Sequence, residues 1–255
     1  MSAPVFFAEP GSLREVTVGS TYLLDGAEGR HAGVVQRRAP GERIDVVDGA
    51  GVRVRGVVLA VDAVGVHLEV REHVVEPESE IGLVLVQALA KGDRDELAIE
   101  AATEIGADEV LPWQADRSIV IWRGDRAAKS RARWVATVRT AAKQSRRSRL
   151  PRVGVAVDGA GLVARVAEVV SAGGAALVLH EDARRPLATV ELPAARPGAQ
   201  ILVVVGPEGG ISEREVSALE GAGAQAVRLG PHVLRTSTAG PVALALLAQR
   251  LGYWG

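Results

Sequence analysis

No cysteine occurs among the 255 residues, which excludes disulfides, thiolate metal sites and cysteine nucleophiles. No metal site is expected. Aromatic residues make up only 3%, so a buried core has to be built mainly from Val, Leu and Ala. Long apolar runs are missing too: stretches such as 201–205 are strand-sized, far short of the roughly 20 residues a membrane helix needs. Residues 1–14 lack a basic start followed by a long apolar stretch, so no signal peptide is expected. These absences together fit a cytoplasmic protein without membrane contact. Lysine is scarce, with Arg in nearly every basic position, a bias that hints at a GC-rich genome.

What is present is ordinary for a globular chain: 47% hydrophobic and 24% charged residues, enough to bury a real core. The net charge of −1 argues, taken alone, against a polyanionic partner. Its distribution argues the other way. Between Arg123 and Arg152 stand eleven Lys or Arg against one acid, Asp125, and local charge is what a nucleic-acid backbone would meet.

Two rhythms divide the chain. Residues 42–47, 52–61 and 64–74 alternate apolar and polar side chains, with turn chemistry at Asp48-Gly49-Ala50-Gly51, and a short helix over 27–36 precedes them. Strands so closely spaced predict a small barrel over 1–75. The polar, proline-bearing stretch 76–80 predicts a boundary. From 81 to 255 strands and helices alternate. Strands are expected at 81–89, 109–113, 153–157, 175–180, 201–205 and 226–229, and helices at 94–105, 127–145, 162–171, 212–221 and 238–251. In the first of these helices Leu97, Ala101 and Ile105 share one face. This is the pattern of an α/β domain with a mostly parallel sheet.

Three glycine loops compete as a ligand cradle. Gly159-Ala160-Gly161-Leu162-Val163-Ala164 is a GxGxxA between strand and helix, with Glu181-Asp182 about 20 residues on, where a dinucleotide fold keeps its ribose-binding acid. A plain turn and helix start after Asp158 explains it better, since Gly and Ala are so common here that such a short match arises by chance. Gly221-Ala222-Gly223 follows a helix and reads as a helix C-terminus. Gly206-Pro207-Glu208-Gly209-Gly210 follows the 201–205 strand directly, and Ser212 with Glu215 forms an S-x-x-E capping box that starts the next helix. It therefore sits at the carboxyl end of a strand, where open α/β sheets bind ligands, and no Lys-Ser or Lys-Thr follows to make a nucleotide P-loop. Twenty residues later, Leu229-Gly230-Pro231-His232-Val233-Leu234-Arg235-Thr236-Ser237-Thr238-Ala239 runs from a short strand into the last helix. Arg235 can serve chemistry or close a salt bridge, and Thr238 can cap the helix.

The pair G-P-E-G-G and L-G-x-x-V-L-R-T-x-T-A resembles the SPOUT-superfamily methyltransferases that modify N3 of a uridine in 16S ribosomal RNA. The likeness extends to His31 ahead of Val34-Val35-Gln36-Arg37, Lys91-Gly92-Asp93-Arg94 with Thr103-Glu104-Ile105-Gly106, Asp116-Arg117-Ser118, and Gln144-Ser145-Arg146-Arg147 with Pro151. Ser237 stands where many members carry Glu, Lys143 where many carry Glu, and Gln36 where Leu is usual.

The resemblance implies a PUA-like, RNA-binding barrel over 1–75 and a SPOUT α/β domain over 81–255 tied in a trefoil knot. It further implies a homodimer, S-adenosylmethionine as cofactor and 16S RNA of the small ribosomal subunit as partner. By the same carry-over the cofactor pocket comprises Leu179, His180 and Glu181; Gly206, Pro207, Glu208, Gly209 and Gly210; Leu229 and Gly230; and Leu234, Arg235, Thr236, Ser237, Thr238 and Ala239. Arg235 is the candidate catalytic residue, stabilising negative charge on the base oxygens. No general base is identified; Glu208 suits the helix N-terminus or the loop better. Arg139, Lys143 and Arg146, read as one helical face, with Arg147, Arg117, Lys91, His31 and Arg37, form the candidate RNA surface. Two rivals remain: a nicotinamide-dependent oxidoreductase using Gly159–Ala164, and a non-catalytic RNA-binding assembly factor, which the missing Glu at Ser237 keeps open.

Overall fold

The computed structural model describes residues 3–254; Met1, Ser2 and Gly255, the ends of the two expected domains, lie outside the described residues. The chain divides into two units. One runs to Glu78 and also takes Ala142–Leu150; the other is Ser79–Ala141 with the chain from Pro151 onward.

The first unit contains β1 (Val5–Phe7), β2 (Thr21–Leu24), α1 (Gly26–Arg30), β3 (Arg43–Val47), β4 (Val52–Val61) and β5 (Val66–Val75). Alternation decides which side of each strand is buried: Ile44 and Val46, Val54 and Val58, and Val66, Leu68 and Val70 meet Phe6, Leu13 and Leu24 in one core. The strands pair in the order β1-β3-β4-β5-β2, with β1 parallel to β3 and the other pairs antiparallel. Among the described residues the strands of the expected barrel form one five-stranded sheet with β1 and β2 at its edges. Strands β1 and β2 escape a sequence reading because three and four residues hold too little alternation to register. The helix expected over 27–36 is α1 followed by one π-helical turn, His31–Val35.

Residues 142–150 join this unit through backbone and side chains. Ala142 and Leu150 pack with Val5, Phe7 and Val47. Leu150 N–H donates to Gly49 O at 2.9 Å, and Gly51 N–H to Ser148 O at 3.2 Å. Gly51 holds φ +106°, a backbone conformation that L side chains rarely adopt, so the turn needs glycine.

The second unit continues with β6 (Ile81–Ala88), α2 (Arg94–Ile105), β7 (Glu109–Trp113), α3 (Asp125–Gln144), β8 (Arg152–Val153) and α4 (Gly159–Ser171). Then follow β9 (Ala175–Leu179), β10 (Ala199–Val205), α5 (Glu213–Gly221), β11 (Gln225–Val227) and α6 (Thr236–Arg250). Its six strands are all parallel, in the order β11-β9-β10-β6-β7-β8. Strands buried on both faces read as continuous apolar runs, and here each face has its own core. Leu83, Leu85, Ile201, Val203 and Val205 face α2, α3 and α6; Val84, Val86, Leu202 and Val204 face α4 and α5.

The strand expected at 153–157 is only two residues long. Gly154, where a Cβ would sit 2.6 Å from Leu111 Cδ1, still donates to Val110 O at 2.9 Å, and pairing resumes as a bridge between Trp113 and Val157. Helix α2 buries Ala98, Ile99, Ala102 and Thr103; of the expected face through Leu97, Ala101 and Ile105, Ile105 packs partly buried against the core while Leu97 is 49% exposed. The last helix begins at Thr236 rather than 238, so Thr238 lies inside it and does not cap it. No helix among the described residues is long and apolar enough to cross a membrane.

Candidate functional site

Parallel strands present their carboxyl ends along one rim of the sheet, and the loops leaving β9, β10 and β11 meet there. They enclose a cavity of about 610 Å³ lined by Leu179, His180 and Glu181 after β9, Gly206 to Ile211 after β10, and Leu234, Arg235, Thr236 and Ala239 at the start of α6. A second cavity of about 160 Å³ shares Leu179, His180, Glu181, Leu234 and Ala239 with it and adds Leu229, Gly230 and Pro231. Their size suits a cofactor-sized ligand. Backbone dominates the walls: a Cβ on Gly206 would lie 2.6 Å from Ile211 Cγ1, Gly210 holds φ +73°, and Gly230 opens onto free space. Such glycine-bared backbone with apolar Leu179, Leu229 and Leu234 is a donor set for a flat heterocycle. Ser237 and Thr238, expected in the pocket, line neither cavity.

The loop is held by charge. Glu208 Oε1 accepts from Lys91 N–H at 3.1 Å and from Arg94 Nη1 at 2.9 Å. Partial burial pushes this carboxyl up, but hydrogen bonds from its own backbone, from Lys91 and from Arg94 outweigh burial and hold it below its ordinary value. Glu208 is thus an ionised clasp between the Lys91–Arg94 segment and the 206–210 loop. Arg117 Nη1 donates to Gly209 O at 3.0 Å. Beyond the loop the expected capping box is formed, Ser212 Oγ accepting from Glu215 N–H at 3.2 Å, and Glu215 also accepts from Asp116 N–H at 2.7 Å. Asp116 binds Arg214, whose guanidinium together with the Ser212 hydroxyl keeps the carboxyl below its ordinary value.

Arg235 is the N-cap residue of α6 and makes no side-chain cap bond. It is exposed, lines the larger cavity, and its guanidinium makes no ion pair among the described residues. A cation left unneutralised at a cavity mouth is available to a ligand.

The rival glycine turn lies elsewhere. Gly159, Ala160 and Leu162 line a separate cavity of about 700 Å³ with Trp113, Arg214 and Leu219, whereas Glu181 and Asp182 face the first cavity. Three strands, β10, β6 and β7, separate β8 from β9, so the turn and its would-be ribose acid do not meet as a dinucleotide site demands. Asp158 simply caps α4 by accepting from Gly161 N–H at 2.8 Å. Gly223, at φ +99°, ends α5 as expected.

Comparison with known proteins places this geometry. A family model described as an RNA methyltransferase domain matches residues 77–248. A Mycobacterium bovis protein named ribosomal RNA small subunit methyltransferase E is 47% identical over 236 residues, covering 92% of this chain and 89% of that one. The chain belongs to this RNA methyltransferase family. A Bacillus subtilis protein of the same name is 30% identical, with 93% of each chain covered. The solved structure of a ribosomal RNA small subunit methyltransferase E from Neisseria gonorrhoeae, bound to S-adenosyl methionine, superposes with a TM-score of 0.82 at 28% identity, covering 98% of each chain.

For a member of an RNA methyltransferase family, the fate of the basic segment matters. Much of it is spent within the fold. Lys143 pairs with Glu28 at 2.6 Å and lies 4.9 Å from the Phe6 ring centre. Arg149 donates to the carbonyls of Ala50 and Glu76. Arg131 donates to the carbonyls of Val153 and Gly154, Arg133 pairs with Glu96, and Arg152 with Glu109. Arg139 and Arg147 also have partners. Arg146 does not continue the helical face of Arg139 and Lys143: α3 ends at Gln144, and Arg146 sits at φ +59° with its carbonyl accepting from Arg53. Its side chain is exposed, as is that of Arg37 at φ +53°, while His31 is half-buried beside Gln36 at 3.0 Å. Lys91 and Arg117 stand at the 206–210 loop. Sequence reasoning missed Arg94, whose signal was its place in the Lys91–Arg94 motif.

Proposed function

We propose that this chain transfers a methyl group from S-adenosylmethionine to small-subunit ribosomal RNA, at N3 of a uridine in the 16S molecule. The observation that carries the reading is the glycine-walled cavity at the carboxyl ends of β9, β10 and β11, in a chain 28% identical to a cofactor-bound relative along 98% of its length. When bound, the cofactor supplies an electrophilic methyl on a sulfonium. The protein supplies placement: the Glu208 clasp sets the 206–210 loop, and Leu179, Leu229 and Leu234 exclude water from the heterocycle. Arg235 faces the negative charge that develops on the uridine oxygens as N3 loses its proton. Ser237, replacing the usual Glu, lies outside both cavities and is not a base in this reading.

The same reading makes the first unit PUA-like and RNA-binding, the second a trefoil-knotted SPOUT domain, and the active form a cytoplasmic homodimer. Support for the dimer comes from Leu97 and Leu246, exposed on the packed helices α2 and α6. For RNA the reading keeps Arg37, Arg146, Lys91 and Arg117, with His31 as a half-buried neighbour, and gives Lys143 a structural role.

Arg235→Ala tests the chemical assignment. Turnover on small ribosomal subunits should fall by about 100-fold, while S-adenosylmethionine affinity stays within about threefold. Wild-type turnover in that variant removes Arg235 from the mechanism. No transfer to small-subunit RNA by the unmodified protein, despite cofactor binding, favours the non-catalytic assembly factor.

A further inference from the structure

Strand β6 ends in a buried amide that neither cavity touches. Gln87 is fully buried, in register with Val205 on β10, on a strand whose residues 83–86 and 88 are all apolar. Its Nε2 donates to Thr236 Oγ1 at 2.8 Å and to Ala88 O at 3.2 Å, and Thr236 Oγ1 donates in turn to Gly206 O at 2.8 Å. Gln87 Oε1 has no partner among the described residues although it is buried. An amide buried with one acceptor unsatisfied destabilises a fold, and an unbranched apolar side chain of equal length would not. With two donated bonds set against the unsatisfied oxygen, stability alone gives little reason for glutamine here.

Geometry gives one. A hydroxyl has a single proton, so accepting from Gln87 leaves the Thr236 proton aimed at Gly206. The relay ties together the end of β6, the first residue of the 206–210 loop and the first residue of α6, directly after Arg235. That helix lacks the side-chain cap that holds α5, and Arg235 as its N-cap makes none. One turn on, Gly240 presses so closely on the sheet that a Cβ would lie 2.6 Å from Leu85 Cδ1, so the body of α6 is fixed by packing and its entry by the relay.

We propose that Gln87 is a positioning residue for methyl transfer: it orients the Thr236 hydroxyl and so locks the Gly206 carbonyl and Arg235 into the arrangement the cofactor cavity needs. The proposal rests on the functional reading above, and its test separates the two.

In Gln87→Met, Tm should equal or exceed that of the unmodified protein. Amide exchange at residues 238–240, read without cofactor, should quicken at least tenfold, and kcat should fall at least tenfold with KM for RNA within threefold. Thr236→Val should match it, the double variant should be no worse than either, and Thr236→Ser should lose less than Thr236→Val. Gln87→Glu should recover protection and turnover as pH falls, because only the protonated acid donates to Thr236. A lower Tm with unchanged exchange and kcat, or additive losses in the double variant, overturns the proposal. If Gln87→Met fails to fold, the Thr236 pair decides through exchange alone. Failure of the unmodified protein to bind cofactor would sink the functional reading without touching the exchange result.

Discussion

Asp95 is a carboxyl buried in the first turn of α2, and burial pushes it up to about 6, with its own neighbours Glu96 and Arg133 pulling in opposite directions. A carboxyl raised above its unfolded value binds its proton more tightly in the fold. Stability is therefore full below about pH 4 and is lost as pH rises through 6. Asp95→Asn keeps an acceptor for the Glu96 N–H, 2.9 Å away, and removes the buried charge. It should stabilise the protein by about 1–3 kcal/mol at pH 8 and by little at pH 4, as read by urea unfolding at the two values. A gain of equal size at both pH values would mean that the charge is not the cause. At this scale the sequence was readable where a residue type has one use. Ser212 and Glu215 formed their box, and the bared glycines 206, 209 and 210 line the cavity. It was unreadable where partners come from distant positions: nothing in the basic run reveals that Lys143 meets Glu28 or that Arg133 meets Glu96.

Elements were legible in proportion to their length and regularity. The bounds of β4, α2 and β7 agree with the alternation and periodicity of their residues, whereas β1, β2 and β8 are too short to show a period. The buried face of α2 misled because it is built largely from small residues, Ala98, Ala102 and Thr103 around Ile99, while the large Leu97 is left half-exposed. Small residues let helices approach, and the pattern of large apolar residues then no longer marks the interface. Small residues act in the same way where α6 meets the sheet, and Gly240→Ala tests that packing. Helix propensity alone favours alanine by about 1 kcal/mol, yet the added methyl meets Leu85 and Val205 and should lower stability by about 1–2 kcal/mol net. A rise in Tm would show that α6 has slack against the sheet.

At the scale of the molecule, near-neutral net charge conceals a division of labour between structural and free cations. RNA affinity should fall with salt, and removing a phosphate-contacting arginine should lower the slope of log K against log salt by about 1. Arg37→Ala and Arg146→Ala should each do so. Lys143→Ala should leave the slope unchanged and lower Tm, since that side chain holds Glu28 and Phe6. Equal slopes for all three would end the distinction. The two-part organisation was visible in the change of rhythm near residue 80, but the return of 142–150 to the first unit was not, because it depends on the Gly49–Gly51 turn accepting a distant segment. The central claim is that the cofactor cavity lies at the 206–210 and 229–239 loops and not at the Gly159 turn. Calorimetric titration with S-adenosylmethionine and, separately, with NAD tests it most directly. The account predicts micromolar affinity for the first, none for the second, and loss of binding in Gly209→Glu, where a side chain must displace Arg117 Cβ from 3.2 Å. NAD binding that survives this change and is lost in Gly161→Glu would contradict it.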